Sequence, residues 1–477
     1  MKEMSIQSVA EVLGAEVRWS RPHADDAGGI FSGVTIDSRT VKAGDCFFAI
    51  VGEHFDGHDY VEDVLAKGAV CAVVSKHTGI KIPVGKALLV VSDTIKALGD
   101  LARAYRQSGD FKVVAITGSV GKTTTRLIVS HVLGARFRIH QSPKSFNNDI
   151  GVPLTLLGAE PDTEIVVAEL GSNHLGEIGY LTGIALPDIA VVTNVHPTHL
   201  EGFGSLEAIV KEKLSISAGL RGKGVLIVNG DHAQLVDASQ DIKATVRTFG
   251  AKAGCDCSVE QIRCEGIMSR FKIEGREIRF GLPGRGNVEN ATAAWAVCHE
   301  LGMSVDEYAS ALATMPAVSM RTEILSIGSL NVLNDCYNAN PASMRNALEI
   351  LKNMEPKDGS KRVFVCGDMA ELGKQSEQLH KELGECIAKA GVDLVLSIGG
   401  LARIAAQEAK KQAESGVGKG EQGVIRTECF DNVDSACDNL HEFIGNYDIV
   451  LVKGSRSAGL EKIVEQLKKD FSQGTIE

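Results

Sequence analysis

Apolar residues in this chain gather into short runs, and between the runs they recur at helical spacing. From residue 113 the strongest runs are VVAIT (113–117), IVVAEL (165–170), IAVVTNV (189–195) and GVLIVNGD (224–231). Runs of this length separated by helices predict parallel strands covered on both faces. After ALATMPAV (311–318) the alternation restarts with RVFVCGD (362–368), DLVLSIGG (393–400) and DIVLVKGS (448–455). Before residue 109, strand-like CFFAI (46–50), AVCAVV (69–74) and ALLVV (87–91) mix with helical patterns, ending in the polar helical stretch TIKALGDLARAYRQSGD. The expected fold is α/β in three domains: a small N-terminal α/β domain (1–108), a central mainly parallel-sheet domain (109–316) and a C-terminal Rossmann-like domain (317–477). KKQAESGVGKGEQG (410–423) reads as a mobile surface connection.

Composition adds exclusions. At 477 residues the chain exceeds the size at which one core usually divides. Its net charge of −11 argues against a broad nucleic-acid or anionic-membrane surface. The N-terminus lacks a sustained apolar region and no stretch approaches membrane-span length, so no stable membrane insertion is expected. Eleven cysteines without CxxC spacing predict reduced thiols in a cytoplasmic protein.

Chemistry enters at AITGSVGKTTT (115–125). Gly118 and Gly121 let the backbone turn so that N–H groups around Ser119 and Val120 point at phosphate oxygens, and a helix start adds partial positive charge. Lys122 would reach the β/γ-phosphates, and a hydroxyl from Thr123 or Thr124 would help hold Mg²⁺. Ile116 occupies the place of the first glycine in the standard Walker spacing, leaving the shorter G-x-x-G-K-T-T form; the bland alternative is an ordinary strand-to-helix turn. Glu169 ends an apolar run, where a carboxylate is costly unless paired or metal-bound. Asn194, His196, His199 and Glu201 follow the next strand, and local pattern leaves open which histidine is a ligand. In SLEAIVKEKLSI, Lys213 falls on the apolar stripe of Leu206, Ile209 and Val210. Either its stem packs while the ammonium snorkels outward, or an inward neutral amine is available for modification or phosphate contact.

Together these residues resemble the Mur ligase family, the ATP-dependent amino-acid and peptide ligases of peptidoglycan precursor synthesis. SFNNDIGVPLTLL (145–157), HLEGFGSL (199–206), LNDCYNANPASM (333–344), GDMAELG (367–373) and VKGSRSAGLE (452–461) resemble the branch that joins D-alanyl-D-alanine to a UDP-N-acetylmuramoyl-tripeptide. The resemblance implies an acyl-phosphate mechanism using ATP and Mg²⁺ in a cytoplasmic, monomeric enzyme. It implies metal ligation by Thr123, Glu169, His199 and a Lys213 carbamylated by CO₂, with Lys122, Lys213 and His199 catalytic. Asn287 and Asn290 match the adenine-binding stretch, and Arg321 and Asp335 would reach the nucleotide from the third domain. Ser38, Arg39, Asp56 and His58 resemble the UDP-sugar segment, although Asp37-Ser38-Arg39 alone reads as a polar turn. Asn147, Asn148, Tyr337 and Asn338 are the remaining substrate candidates; on local pattern YNANP is an Asn-rich turn with a helix cap. Many family members carry an acidic residue two positions after the carbamylated lysine, where this chain has Ser215. Two alternatives stand beside this reading: a folate-type amide ligase of the same fold, and a P-loop regulatory protein without an acceptor.

Overall fold

The computed structural model describes residues 1–20, 29–143, 145–198, 200–416 and 424–471, with Leu200 described in its backbone alone. The apolar runs become strands of three principal sheets. In the N-terminal sheet the order is Glu16–Trp19, Ala87–Val90, Cys71–Val74, Asp45–Phe48, Gly33–Thr35, parallel except at the first pair. The central sheet is seven-stranded and parallel throughout. The C-terminal sheet has six strands, and only its edge pair, Glu323–Ile327 with Leu330–Asn334, is antiparallel.

What positions a site is the strand order of the central sheet. Lys112–Thr117 sits in the middle, flanked by Ile165–Glu169 and Ile189–Val192. The chain leaves Thr117 for the edge strand Ile139–Gln141, returns to Ile165, then crosses to Ile189 on the other side. That reversal opens a crevice beyond the carboxyl ends of these strands. All five residues of Ile165–Glu169 are buried, as two-sided helix cover requires.

Two features were illegible as runs. Glu260–Glu265, Met268–Ile273 and Arg276–Phe280 form a separate antiparallel sheet. Its middle strand, Met268–Ile273, alternates half-buried and buried positions, and its neighbours bury fewer residues still, so the sheet carries half the apolar density of the central strands or less. Glu274 and Gly275, at φ +48° and +76°, make its hairpin turn. The expected connection over 410–423 begins as ordered helix, because Gly400–Glu414 runs into it and buries Ala405, Ala406, Ala409 and Ala413; residues 417–423 lie outside the described residues.

The helix Thr94–Ser108 closes the N-terminal third yet packs against helices Gly151–Leu157 and Glu177–Ala185 of the central part, burying Leu98, Leu101 and Ala102 in one continuous core. Arg106 pins it there. Its guanidinium is 1% exposed, donates to Phe111 O (2.7 Å) and Leu186 O (3.0 Å), and pairs with Asp188 at 2.7 Å. Asp188 also accepts from Val113 N–H at 2.8 Å, which ties the pair to the first residues of the central strand. Arg106 is the buried member and Asp188 is 33% exposed, so removing the guanidinium leaves a carboxylate that water partly reaches, and the cost is about 1–3 kcal/mol rather than that of a fully buried pair. We expect Arg106→Met to lose that much in urea denaturation, and Arg106→Met/Asp188→Asn to recover part of it; a loss confined to a few tenths would show that the latch is dispensable.

Candidate active site

A cleft of about 1650 Å³ opens over the carboxyl ends of the central strands, lined by side chains from all three sheets' domains. Its floor is the loop Ser119–Thr124, leading into the helix Lys122–Leu133. The loop is held against the end of Ile189–Val192 from several directions. Val120 N–H donates to Asn194 Oδ1 (2.9 Å) and Ser119 N–H to Asn194 O (3.0 Å). Val120 O accepts from Thr193 Oγ1 (2.7 Å) and Asn194 Nδ2 (3.1 Å). Ser119 Oγ donates to His196 O at 3.0 Å. Asn194 is therefore spent on the loop. The first N–H groups of the helix that follows have no intrahelical acceptor, which makes the helix start an anion site. Lys122 Nζ folds back onto Gly118 O at 2.8 Å. Desolvation lowers its pKa, opposed by Glu169.

Glu169 terminates its strand 2% exposed, beside the loop. Its Oε2 accepts from Thr123 Oγ1 (2.8 Å) and its Oε1 from Asn147 Nδ2 (2.9 Å), and Arg126 Nε lies 3.6 Å away. Three residues on, Ser172 accepts from Lys213 Nζ at 2.7 Å. Lys213 is 1% exposed, with its ammonium position 5.3 Å from the centre of the Phe203 ring. Of the two sequence readings the inward one holds. Burial, reinforced by the nearby Lys122 charge, brings its pKa down to about 7. Ser215 plays no part in orienting it; its Oγ donates to Glu212 O. Glu212 instead caps the helix Glu177–Ala185, accepting from Gly176 and Ile178 N–H at 2.7 Å each. Among the described residues no three His, Cys, Asp or Glu side chains converge as a metal cluster. His199 lies outside the described residues. His196 lines the cleft in edge contact with His232 (5.0 Å), and burial lowers its pKa to about 4.

The C-terminal domain closes the cleft with the turn after Leu330–Asn334. Asp335 is buried and pairs with Lys453 at 2.5 Å while accepting from Thr322 N–H at 3.0 Å. Lys453, 1% exposed at the end of Ile449–Lys453, also donates to Asn338 O at 3.0 Å. Tyr337 hydrogen-bonds Ser145 of the central domain, with the Arg321 guanidinium 4.2 Å from its ring centre. Asn338 projects into the cleft, exposed. Asn340 is occupied as the cap of Pro341–Asn353, in a reciprocal box with Ser343. Behind the loop, Asn287 Nδ2 donates to Pro283 O (2.7 Å) and Thr322 Oγ1 (2.8 Å), and Asn290 Oδ1 accepts from Thr125 Oγ1 (3.2 Å).

The first-domain candidates stay apart: Ser38, Arg39, Asp56 and His58 do not line this cleft. Arg39 is engaged with Asp37, holding that carboxyl near about 2. Asp56 accepts from His58 Nδ1–H (2.6 Å), and His58 Nε2 accepts from Ser75 N–H (2.9 Å), so both brace the end of Cys71–Val74. Sequence reasoning missed Lys453 as a site residue. Its signal was the one that exposed Glu169, a charge ending an apolar run.

The chain is similar over its length to known proteins. Its residues 30–106 match the Mur ligase family catalytic domain, 116–298 the Mur ligase middle domain, and 320–456 the Mur ligase glutamate ligase domain. The UDP-N-acetylmuramoyl-tripeptide–D-alanyl-D-alanine ligase of Bacillus subtilis is 34% identical over 98% of this chain and 99% of that one. This chain belongs to the Mur ligase family. The Escherichia coli ligase of the same name is also 34% identical, with the same coverage. Among solved structures, MurF from Acinetobacter baumannii superposes with a TM-score of 0.86 at 29% identity, covering 98% of this chain and 99% of that one. MurF ligase from Thermotoga maritima in complex with ADP gives 0.79 at 26% identity, covering 92% and 98%. The three-domain α/β architecture expected from the sequence is that of this family.

Lys453→Met tests the buried pair that anchors the closing turn. It leaves the Asp335 carboxylate uncompensated, so we expect a loss of about 3–5 kcal/mol in the C-terminal domain's unfolding transition. Lys453→Met/Asp335→Asn should recover much of it; equal losses would show that the pair does not couple.

Proposed function

We propose that this Mur ligase joins D-alanyl-D-alanine to the terminal carboxylate of a UDP-N-acetylmuramoyl-tripeptide at the expense of ATP. The observation that carries this is the convergence in one cleft of the Ser119–Thr124 loop, the Glu169 strand end and the Tyr337–Asn338 turn, in a chain alike over its length to ligases of that name. A carboxylate is a poor electrophile. Transfer of the γ-phosphoryl group to it gives an acyl phosphate, a carbonyl with a leaving group. The acceptor amine then attacks, and phosphate and ADP are released. ATP and a nucleotide-linked sugar as substrates put the reaction in the cytoplasm. No helix among the described residues is long and apolar enough to cross a membrane.

The protein's part is positioning and charge neutralisation. The loop Gly118–Thr124 takes the phosphates on its N–H groups, and Lys122 swings from Gly118 O to the β/γ oxygens. Asn287 and Asn290 form the wall behind the base, and Arg321 and Asp335 approach the nucleotide from the third domain. Asn147 and Asn148 flank the reacting carboxylate. Ser38, Arg39, Asp56 and His58 serve the UDP end, away from the reaction cleft. Thr123 and Glu169, hydroxyl and carboxylate 2.8 Å apart, are hard oxygen donors suited to Mg²⁺, and His199 and Lys213 complete the proposed set. The ion supplies charge neutralisation on the phosphoryl oxygens. Lys213 joins through carbamylation: the neutral amine's lone pair bonds CO₂ carbon and one proton leaves, so a buried cation becomes an oxygen ligand. Its burial and lowered pKa support that reading.

The deciding experiment is ADP release with UDP-N-acetylmuramoyl-tripeptide, with and without D-alanyl-D-alanine, with Lys122→Ala as the inactive control. Acceptor-independent ADP release, or no tripeptide requirement, would return the chain to the regulatory or folate-type alternatives.

Lys213→Ala should lose on the order of 10²-fold or more in turnover. Short carboxylic acids should restore part of it, and ¹³CO₂ should give a carbamate resonance in the native chain that the variant lacks. A fully active alanine variant, or no such resonance, ends the carbamate assignment.

Asn338→Ala tests the acceptor pocket. Losing an amide that pairs with the dipeptide costs roughly 1–3 kcal/mol. The KM for D-alanyl-D-alanine should rise while ATP affinity stays within a few-fold. A defect seen in ATP binding alone would move the dipeptide elsewhere.

A further inference from the structure

The acceptor brings one fixed charge into the cleft. Its amine must be neutral to attack, but the free carboxylate of D-alanyl-D-alanine stays ionised. An anion taken out of water needs a cation that hydrogen-bonds it. Seven lysines and arginines line the cleft among the described residues, and six of them have other work. Lys122 belongs to the phosphate loop, and Lys453 is buried against Asp335. Lys96, on the helix Thr94–Ser108, pairs with Asp100. Arg285 opens the helix of Asn287 and Asn290, and Arg345 stands next to Asn346, which reaches Gly286 N–H at 3.0 Å. Both therefore flank the wall assigned above to the base. Arg321 helps lower the pKa of Lys122 and of Arg126, which sets its charge over the phosphate floor.

The seventh, Arg456, stands beside the acceptor turn. Its guanidinium carbon lies 6.0 Å from the centre of the Tyr337 ring, and Asn338 is the next residue in the chain. At its other end Tyr337 meets Ser145 through its hydroxyl, two residues before Asn147, whose amide donates to Glu169 at 2.9 Å. The tyrosine side chain thus bridges from Arg456 to the strand-end carboxylate at the phosphate floor. An extended dipeptide spans about 6–7 Å, much the length of that side chain. A carboxylate held at Arg456 would let the amine reach the Asn147 end.

The backbone beneath Arg456 is fixed. Ser455 N–H donates to Asp368 O (2.9 Å), and Ser455 Oγ accepts from Ala370 N–H (2.7 Å). The side chain has one ionic partner: its Nη2 lies 3.1 Å from Glu461 Oε1, at the start of the helix Glu461–Phe471. That contact aims the guanidinium by one corner. With 57% of the side chain exposed, the remaining N–H groups of its fork stay open to the cleft.

We propose that Arg456 binds the free carboxylate of D-alanyl-D-alanine and so sets the dipeptide's amine toward the acyl phosphate. This rests on the ligase reading above.

The test compares the dipeptide with D-alanyl-D-alaninamide, which keeps the attacking amine and loses the charge. On the native chain the alaninamide should show a KM about 10–10²-fold higher, the range for losing a hydrogen bond to a charged group. Arg456→Gln should raise KM for the dipeptide by a similar factor and leave KM for the alaninamide within a few-fold, so that the preference vanishes. Arg456→Lys should restore part of it. With ATP and UDP-N-acetylmuramoyl-tripeptide but no dipeptide, hydroxylamine captures the acyl phosphate as a hydroxamate, and Arg456→Gln should form it at the native rate. A native chain that takes both acceptors alike overturns the proposal, and so does an Arg456→Gln variant that keeps the preference. A parallel loss with both acceptors, or a fall in hydroxamate formation, marks a merely structural role and overturns it too. If the native chain shows no ADP release that depends on tripeptide and dipeptide together, the ligase reading itself is defeated, and this inference with it.

Discussion

The cleft depends on how closely the phosphate loop can approach the end of the neighbouring strand. Gly118 holds φ +145°, and a Cβ there would fall 2.0 Å from Thr193 Oγ1. Gly121 holds φ +84°, where a Cβ would meet Asn290 Oδ1 at 2.1 Å. Only because both positions lack a side chain does the loop sink between Thr193–Asn194 on one side and the helix Arg285–Glu300 on the other. Packed there, it exchanges six hydrogen bonds with Thr193, Asn194 and His196. Its shape is thereby set before any ligand arrives, so phosphate binding need not meet the ordering entropy of a floppy loop.

Around that floor the protein buries charge in complementary ways. Glu169 is a buried anion that reaches a hydroxyl, an amide and a guanidinium. Lys213 is a buried amine that meets the Ser172 hydroxyl and the Phe203 ring, and its proton is correspondingly loosened. Lys453 is a buried cation fully matched by Asp335 and two carbonyls. The same desolvation acts on all three; what differs is the partner set. A matched pair such as Lys453–Asp335 serves as a structural peg, whereas the less fully matched Lys213 is the one proposed above for carbamylation.

How much of this was legible depended on the kind of signal. Parallel strands buried on both faces wrote themselves as dense apolar runs, so four central strands and three C-terminal ones could be read with their ends nearly correct, while strands toward the sheet edges such as Ile139–Gln141, Thr245–Gly250 and Arg426–Phe430 were not. Charges that end such runs stood out for the same reason, which is why Glu169 was visible and Lys453 could have been. The antiparallel sheet over 260–280 hid because one-sided strands halve that density. The tasks of Asn194, Asn287, Asn290 and Asn340 were hidden too, for an asparagine looks alike in sequence whether it meets a ligand or staples a loop. Only the partners across the chain distinguish the two, and those partners lie as far off as Asn290 to Thr125. Arg106 was read merely as part of a polar helix; that its guanidinium would be buried followed from the packing of two domains.

The division of labour among the domains follows from the chemistry of making an amide in water. An acyl phosphate hydrolyses unless water is kept away, yet two large substrates and a nucleotide must all enter. A site built within one domain could be closed or accessible, but not both. Here the phosphate floor is fixed in the central sheet, while the turn that carries Tyr337 and Asn338 comes from a separate sheet, whose domain meets the central one at Tyr337 with Ser145, Asn346 with Gly286, Thr322 with Asn287 and Gly373 beside Glu201. On the reading proposed above, closure across these contacts would complete the site only when its contents are in place. The N-terminal domain obeys the opposite rule. It is locked to the central core by the helix Thr94–Ser108 and the Arg106–Asp188 pair, which matches its proposed role of holding one end of a long substrate at a fixed distance from the reacting end.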